Sequence, residues 1–345
     1  MGELLSFPGL GLEFHLDRVA FHIGSYTIAW YGILMALAFL VGISYVMLRT
    51  KTFGLDGDRV IDVLLVAVMG GIVGARIYYV AFSWNEYKDN LADIFKIWEG
   101  GIAIYGGLIG AILVGLWMCR VRKVRVLPML DIATGGVIIG QAIGRWGNFV
   151  NIEAFGSNTT MPWGMTSPVI ERYLTAHQQE LAEVGVIVDP SMPVHPTFFY
   201  ESIWCLLGFI LIAWYTKRRR FDGELVLFYC VWYGAERAVV EGLRTDSLMW
   251  GNFRVSQVLS IIGVVVALAL WIWIRVKIKR ANDPEYLKLY VNTEEAEMIR
   301  QGTFYPKKET AKGESAAEET SAGAPAPETI NDDERKEENS DGSDT

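Results

Sequence analysis

The sequence predicts an all-α polytopic membrane protein with seven transmembrane helices, its N-terminus outside and its C-terminus in the cytoplasm. Of the 345 residues, 52% are hydrophobic, and the mean hydropathy is +0.26, too apolar for an ordinary soluble protein of this length. Apolar runs of about 18–25 residues recur, which is the length a helix needs to cross roughly 30 Å of hydrocarbon. Basic clusters follow every second run, and the positive-inside rule then fixes the orientation.

The predicted spans lie between residues 26 and 274. Their approximate ranges are 26–48, 60–82, 101–119, 127–149, 197–216, 224–242 and 254–274. The basic clusters begin at Arg49, Arg120, Lys217 and Arg275, after the first, third, fifth and seventh runs. Between the second and third runs, the polar and aromatic residues 83–100 predict a segment at the membrane interface, where Trp and Tyr are enriched.

Three parts of the chain lie outside these spans. Residues 1–25 are expected to form an extracytoplasmic N-terminal segment. Residues 150–195, rich in Pro and Gly, predict a small extracytoplasmic cap inserted into a membrane domain of residues 26–280. Residues 281–345 hold 17 acidic and 7 basic residues, and few large apolar ones, so we expect a disordered acidic cytoplasmic tail. The rest of the chain has no basic patch that would indicate nucleic-acid binding.

Several charged residues are predicted at membrane depth. An Arg at the centre of a lipid-exposed helix costs on the order of 2.5–3.5 kcal/mol on insertion scales. In the predicted topology Arg76, Arg145 and Arg237 fall in the outer portions of outward-running helices. Tyr31 and Tyr105, near the starts of inward-running helices, fall in the same leaflet. These positions predict a polar chamber that opens to the outer leaflet.

Helical spacing places the polar residues of two helices on defined faces. Gln141, Arg145 and Asn148 are spaced i, i+4, i+7 and share a face. The sixth predicted helix has a comparable face of Tyr229, Tyr233, Arg237, Glu241 and Arg244. Grouped guanidiniums suit an anion, because their planar fork matches phosphate oxygens. The alternative is that pairs such as Arg237 and Glu241 only hold helices together.

Two further features have more than one interpretation. Gly136, Gly140 and Gly144 form a stripe along which a neighbouring helix can approach closely, and packing explains this stripe better than function does. His195 and Glu201, at the start of the fifth predicted helix, fit either simple capping or a functional role.

Residues 144–156, GRWGNFVNIEAFG, closely resemble the signature of the bacterial phosphatidylglycerol–prolipoprotein diacylglyceryl transferases. Further blocks resemble that family in the same order: WYG at 30–32, GARIYY at 74–79, GGLIG at 106–110, HPTFFYE at 195–201, and Arg237, Glu241 and Arg244. The resemblance covers about residues 20–275. It implies transfer of the diacylglyceryl group of phosphatidylglycerol to the lipobox cysteine of a prolipoprotein. The products would be a thioether and glycerol 1-phosphate, in the first step of lipoprotein maturation.

The resemblance also implies roles for individual residues. The expected catalytic residues are Arg145, Arg237, Tyr105, Tyr31 and Glu153. The expected substrate-binding residues are Arg145, Asn148, Asn151, Gly156, Arg76, Tyr233, Glu241 and Arg244. The implied partners are phosphatidylglycerol, prolipoprotein signal peptides with a lipobox cysteine, and the lipid bilayer of the bacterial cell membrane. We expect a monomer.

One position departs from the family pattern. Where the family commonly has His-Gly-Gly, this chain has Tyr105, Gly106 and Gly107. A phenol ionises only near pH 10, so it is a poor base towards a thiol. Either a neighbouring arginine promotes its ionisation, or Tyr105 only positions the substrate while the thiol proton leaves elsewhere. We favour the second interpretation.

The sequence calls for no metal or organic cofactor. His-Glu-x-x-His and Cys-x-x-Cys motifs are absent, and Cys119, Cys205 and Cys230 lie in apolar stretches, where buried thiols are expected. The alternative function is a transporter or a lipid-binding membrane protein that uses the same arginines to hold an anion. Clustering of the charges at the outer end argues against a transporter, whose sites lie near the midplane.

Overall fold

The structure is a computed structural model that describes residues 2–24, 26–97, 100–183, 185–245, 249–250 and 253–305. Helices dominate this part of the chain. Their bounds are α1 Trp30–Arg49, α2 Gly57–Phe82, α3 Trp84–Tyr87, α4 Ile104–Val121, α5 Val126–Asn151, α6 Pro168–Glu183, α7 Thr197–Tyr215, α8 Glu224–Leu243, α9 Val255–Ala281 and α10 Glu294–Arg300.

Six helical segments within the described residues are long and apolar enough to cross a membrane. They are Trp30–Phe53, Gly57–Phe82, Ile104–Val121, Val126–Asn151, Thr197–Arg218 and Val255–Ala281. The structure therefore fits a protein with several membrane spans. Helix α8 is not among the six, because its 20 residues include Glu224, Glu236, Arg237 and Glu241. Seven spans and their orientation stay predictions.

Glycines set the distances between two pairs of helices. A Cβ atom on Gly74 of α2 would lie 2.5 Å from the carbonyl oxygen of Gly106 on α4. A Cβ atom on Gly136 of α5 would lie 2.8 Å from the carbonyl oxygen of Gly42 on α1. Since no side chain fits at these contacts, the helix backbones touch directly, as is common in membrane proteins. The predicted glycine stripe of α5 thus packs against α1.

Helix α5 packs against three other long helices. It packs against α1, α7 and α8, while α8 also packs against α7 and α9. Its buried side chains Ile132, Ile138 and Ala142 belong to one apolar cluster with Cys205 and Ile212 of α7. This packing brings the C-terminal turns of α5 against the start of α7.

The all-α prediction is wrong for the N-terminal residues. Strand β1 (Glu3–Phe7) pairs with β2 (Leu12–Leu16), and β3 (Val19–Ile23) pairs with β4 (Tyr26–Ala29), both antiparallel. Glycines with left-handed backbone, Gly11 and Gly24, lie in the turns and allow the chain to reverse. A third pair, β5 (Met249–Trp250) and β6 (Phe253–Arg254), lies between α8 and α9.

The segment predicted to form a cap has a hydrophobic core of its own. Helix α6 contributes Ile170, Leu174 and Leu181, and the segments around it contribute Ile152, Phe155, Met165, Val188 and Val194. Leu5 of β1 is 1% exposed and belongs to the same core. Backbone hydrogen bonds of 2.9 Å join Ser6 and Thr166 in both directions. The N-terminal segment and the cap are therefore one folded layer.

The first part of the segment predicted to be disordered is folded. Helix α10 and a turn at Tyr290–Asn292 fold against the rest of the chain, and Ala296 is fully buried. The carboxylate of Asp222 accepts a 2.7 Å hydrogen bond from the Tyr290 amide, and Arg125 forms a 2.6 Å ion pair with Glu295. The prediction of disorder is thus wrong for residues 283–304, because the apolar side chains Tyr290 and Ala296 of this acidic segment pack in the main hydrophobic cluster. Residues 306–345 lie outside the described residues.

Candidate active site

The site centres on a carboxylate of α7 that binds two arginines from neighbouring helices. Glu201 is 1% exposed. Its Oε2 lies 3.1 Å from Nη1 of Arg145 on α5, and its Oε1 accepts a 2.9 Å hydrogen bond from Nη1 of Arg237 on α8. Nη2 of Arg237 donates a 2.6 Å hydrogen bond to Glu241, one turn further along α8. Burial makes this pairing necessary, because an isolated charge in an apolar interior is very costly.

The polar faces predicted for α5 and α8 meet at this site. Gln141 and Tyr229 are hydrogen-bonded through Nε2 and Oη at 2.9 Å. The ring of Tyr233 stacks on that of Tyr229 with centroids 5.4 Å apart, and Tyr233 interacts electrostatically with Arg145. Polar contacts thus run along α8 from Tyr229 to the arginines.

Within the described residues, both guanidiniums keep donors for a ligand. The side chains of Arg145 and Arg237 are 18% and 19% exposed. Each guanidinium has five N–H groups, and the ion pairs with Glu201 and Glu241 among these residues involve one nitrogen of Arg145 and two of Arg237. The remaining donors suit a phosphate or carboxylate, which accepts several charge-assisted hydrogen bonds at once.

A strained turn follows the C-terminal end of α5. Asn148 and Asn151 each donate a hydrogen bond to Oε1 of Glu153, at 3.0 and 3.3 Å. Ile152 and Ala154 both have φ of 53°, in the left-handed region. That conformation costs a non-glycine residue of order 1–3 kcal/mol and is concentrated at functional sites. The turn persists because Ile152 is buried in the core of the cap and Glu153 is held by both amides.

Gly156 joins the signature segment to α7 and α8. Its amide donates a 2.9 Å hydrogen bond to the carbonyl of His195, and it forms a β-bridge with Arg244. A Cβ atom here would lie 2.8 Å from Cβ of His195 and 3.1 Å from the carbonyl oxygen of Leu243. Only glycine fits this contact. Burial lowers the pKa of His195, which lies just before α7, so its imidazole is favoured in the neutral form.

Tyr31 and Tyr105 have different surroundings. The ring of Tyr31 lies against Gly147 of α5, where a Cβ atom would be 2.6 Å from Cδ2 of the tyrosine. Tyr31 therefore borders the signature segment. Tyr105 lies in the first turn of α4, is 52% exposed, and takes no part in the hydrogen bonds and ion pairs described for the Glu201 cluster.

Comparison with known proteins identifies the family. The family model of prolipoprotein diacylglyceryl transferase matches residues 18–273. The chain belongs to the prolipoprotein diacylglyceryl transferase family. Three relatives, each called phosphatidylglycerol–prolipoprotein diacylglyceryl transferase, come from Listeria welshimeri (43% identity over 253 residues, 73% of this chain and 88% of the relative), Geobacillus kaustophilus (42% over 255 residues, 73% and 90%) and Clostridioides difficile (40% over 250 residues, 72% and 92%). The protein is thus a transferase, located in the bacterial cell membrane with several spans.

Arg76, predicted to bind substrate, has a structural role in this transferase. It is 7% exposed, and four of its N–H groups donate to the carbonyls of Ile94, Gly100, Gly101 and Asp93 at 2.7, 2.7, 2.7 and 2.6 Å. Its guanidinium also lies 5.0 Å from the ring centroid of Tyr87. The arginine holds the segment between α2 and α4 in place. The sequence predicted a position at membrane depth for Arg76, but it did not predict the carbonyls that surround the guanidinium.

Two residues near the site were not predicted as site residues. Nη2 of Arg18 donates a 2.9 Å hydrogen bond to the carbonyl of Asn151, so the N-terminal layer contacts the signature turn of the transferase. Nothing in the local sequence distinguishes Arg18 from other surface arginines. Glu236, beside Arg237, is 4% exposed. An acidic residue at predicted membrane depth was a signal for it, but helical spacing places it off the polar face predicted for the sixth helix.

Proposed function

We propose that this site transfers the diacylglyceryl group of phosphatidylglycerol to the lipobox cysteine thiol of a prolipoprotein. The proposal is carried by one observation: Arg145 and Arg237, from two helices, share the buried carboxylate of Glu201 and keep N–H donors for an anion. The names of the family relatives supply the two substrates. The reaction would be the first step of lipoprotein maturation.

In the proposed reaction the thiol sulfur attacks the glycerol carbon that bears the phosphate. A sulfur–carbon bond forms to the diacylglycerol part, the carbon–oxygen bond breaks, and glycerol 1-phosphate leaves with the electron pair of that bond. The thiol gives up its proton, which balances the negative charge gained by the leaving group. Negative charge therefore develops on the phosphate. Arg145 and Arg237 are held in place before the reaction by Glu201 and Glu241, so stabilising this charge needs little reorganisation.

We also propose seven spans with an outer site. Helix α8 has 20 residues, about 30 Å at 1.5 Å per residue, and packs beside α7 and α9. Its charged residues Arg237 and Glu241 are paired with α7 and with each other, which lowers the cost of a membrane position. The ends of the helices beside the cap would face outward, where prolipoproteins are expected to arrive.

A cavity beside the signature turn is the proposed entrance for the peptide. Its volume is about 260 Å³, and its lining includes Arg18, Asn151, Glu153, Tyr173 and Thr245. It lies where the cap, the N-terminal layer and the end of α8 meet. We assign to it the polypeptide next to the lipobox cysteine. Glu153, which lines it, would then orient the peptide or accept a proton.

The test is incubation of the purified protein with phosphatidylglycerol vesicles and a lipobox peptide. We expect a mass gain of one diacylglyceryl group on the cysteine, and free glycerol 1-phosphate. R145K and R237K keep the charge but lose the planar fork, so we expect both to lose most of the activity. V239A, at a 68% exposed position of α8, is the matched control and should retain it. No mass gain with intact wild-type protein would defeat the proposal, and lipid binding without transfer would favour a lipid-binding protein.

A further inference from the structure

Glu236 is a buried acidic side chain that the proposed reaction has not yet used. It is 4% exposed, and among the described residues no N–H group donates to its carboxyl oxygens, which face the carboxyl group of Glu201. Its neighbour Arg237 turns instead to Glu201 and Glu241. Buried polar groups nearly always have partners, so a buried carboxyl group that receives no N–H donor, beside the candidate anion site, indicates that a ligand completes its hydrogen bonding.

The surroundings of Glu236 determine its protonation. The titratable or charged groups that face it are Arg145 from α5, Glu201 and Cys205 from α7, and Tyr233 and Arg237 from its own helix. Glu201 already forms ion pairs with both arginines. A second carboxylate beside it, without an N–H donor, would be strongly disfavoured, because two like charges in an apolar site do not both ionise readily. Glu236 therefore carries a proton in the resting site.

An uncharged Glu236 also suits an anionic substrate. The ion pairs of the site balance two positive charges, on Arg145 and Arg237, with two negative ones, on Glu201 and Glu241. An ionised Glu236 would add a negative charge beside these pairs and repel the phosphate. An uncharged Glu236 avoids this repulsion.

We propose that protonated Glu236 donates its O–H to the phosphate of the bound phospholipid and passes this proton to the leaving glycerol phosphate. The proposal rests on the proposed function. As the sulfur–carbon bond forms and the carbon–oxygen bond breaks, the leaving phosphate gains a second negative charge, which the proton from Glu236 neutralises. The proton released by the thiol restores the carboxyl group for the next turnover, so the overall reaction neither gains nor loses a proton.

Steady-state kinetics of E236Q and E236L, with V239A as the control on the same helix, test this role. Gln still donates an N–H to the phosphate but has no proton to transfer. We expect E236Q to keep the KM for phosphatidylglycerol within about twofold and to lose about 100-fold in kcat, the lower end of general acid catalysis. E236L, with no donor, should raise the KM as well. The wild-type kcat should fall at alkaline pH as Glu236 ionises, and E236Q should lack this decline.

The outcomes distinguish proton transfer by Glu236 from a purely structural role. Wild-type kcat and an unchanged pH profile in E236Q would overturn the proposal while transfer by the wild type still upheld the proposed function. Equal losses in E236Q and E236L, together with lower thermal stability and an unchanged pH profile, would show a purely structural role and also overturn it. Absence of transfer by intact wild type would remove the proposed function, and the assignment of Glu236 with it.

Discussion

Replacing Glu201 by Gln removes the charge that orients both arginines of the site. Glu201 is 1% exposed and lies within 3.1 Å of Arg145 and 2.9 Å of Arg237. Removing one partner of a buried ion pair costs about 3–5 kcal/mol, because the other charge stays buried without compensation. Arg237 keeps Glu241, and both guanidiniums are partly exposed, so we expect about 3 kcal/mol.

The effect on transfer should be as large as the effect on stability. Without Glu201 the guanidinium of Arg145 can move, and a displacement of 1 Å at a reacting centre can cost about 100-fold in rate. We expect kcat/KM of E201Q to fall by about that factor. The assays are transfer to a lipobox peptide and equilibrium unfolding of the purified protein in mixed detergent micelles.

A double-mutant cycle with R145Q checks the physical reason. If the two residues stabilise each other through charge, E201Q/R145Q should be destabilised by about 1–3 kcal/mol less than the sum of the single variants. The double variant leaves neither charge uncompensated at that contact. Additivity of the free energies of unfolding to within about 0.5 kcal/mol would refute the ion pair as the organising contact of the site.

Four further outcomes can be measured. G156A should lose about 1–3 kcal/mol of stability, because its Cβ atom would lie 2.8 Å from Cβ of His195. The control G263A, at a position with open space around it, should lose nothing, and thermal unfolding compares the two variants. Burial lowers the pKa of His195 from its ordinary 6.5, so as the pH falls the unfolded chain takes up a proton at this imidazole before the folded protein does. Stability should therefore fall as the pH drops below about 6.5, and an unchanged pH profile of unfolding in H195N would contradict this. Removal of residues 306–345 should leave thermal stability unchanged, whereas removal of residues 283–345 should lower it, since it exposes the sites now covered by Tyr290 and Ala296; equal melting temperatures of the two truncations would refute that. Y105F should keep the wild-type transfer rate, since we expect Tyr105 only to position the substrate. A rate loss of tenfold or more would show that the hydroxyl takes part in the reaction.

Helical periodicity and depth were enough to bring the two arginines together from sequence. Arg145 shares a face with Gln141, and Arg237 shares one with Tyr229, and these faces meet in the structure. The spacing reflects backbone geometry that does not depend on the neighbours. The bridging role of Glu201 was not predictable in this way, because a Glu in the second turn of a helix has other common uses.

Predicted depth alone did not distinguish Arg76 from Arg145, since the charge of an arginine at membrane depth can be compensated in two ways. Arg145 meets a carboxylate, whereas Arg76 meets four backbone carbonyls of the segment between α2 and α4. The sequence of that segment does not show where its carbonyls point. The start of the tail was misjudged for a related reason. Composition averaged over residues 281–345 conceals Tyr290 and Ala296, which belong to one apolar cluster with Phe53 and Leu55 of the connection between α1 and α2.

The strained turn and the ion pairs support one another. The left-handed backbone at Ile152 and Ala154 directs Glu153 back to Asn148 and Asn151, and it lets Gly156 reach His195 and Arg244. Gly156 therefore fixes the end of α8 relative to the start of α7, and these are the segments that carry Arg237 and Glu201. A change in the turn should disturb the distance between the two arginines even though it touches neither. The turn, despite its conformational cost, is then part of what would hold the proposed anion site in its reactive geometry.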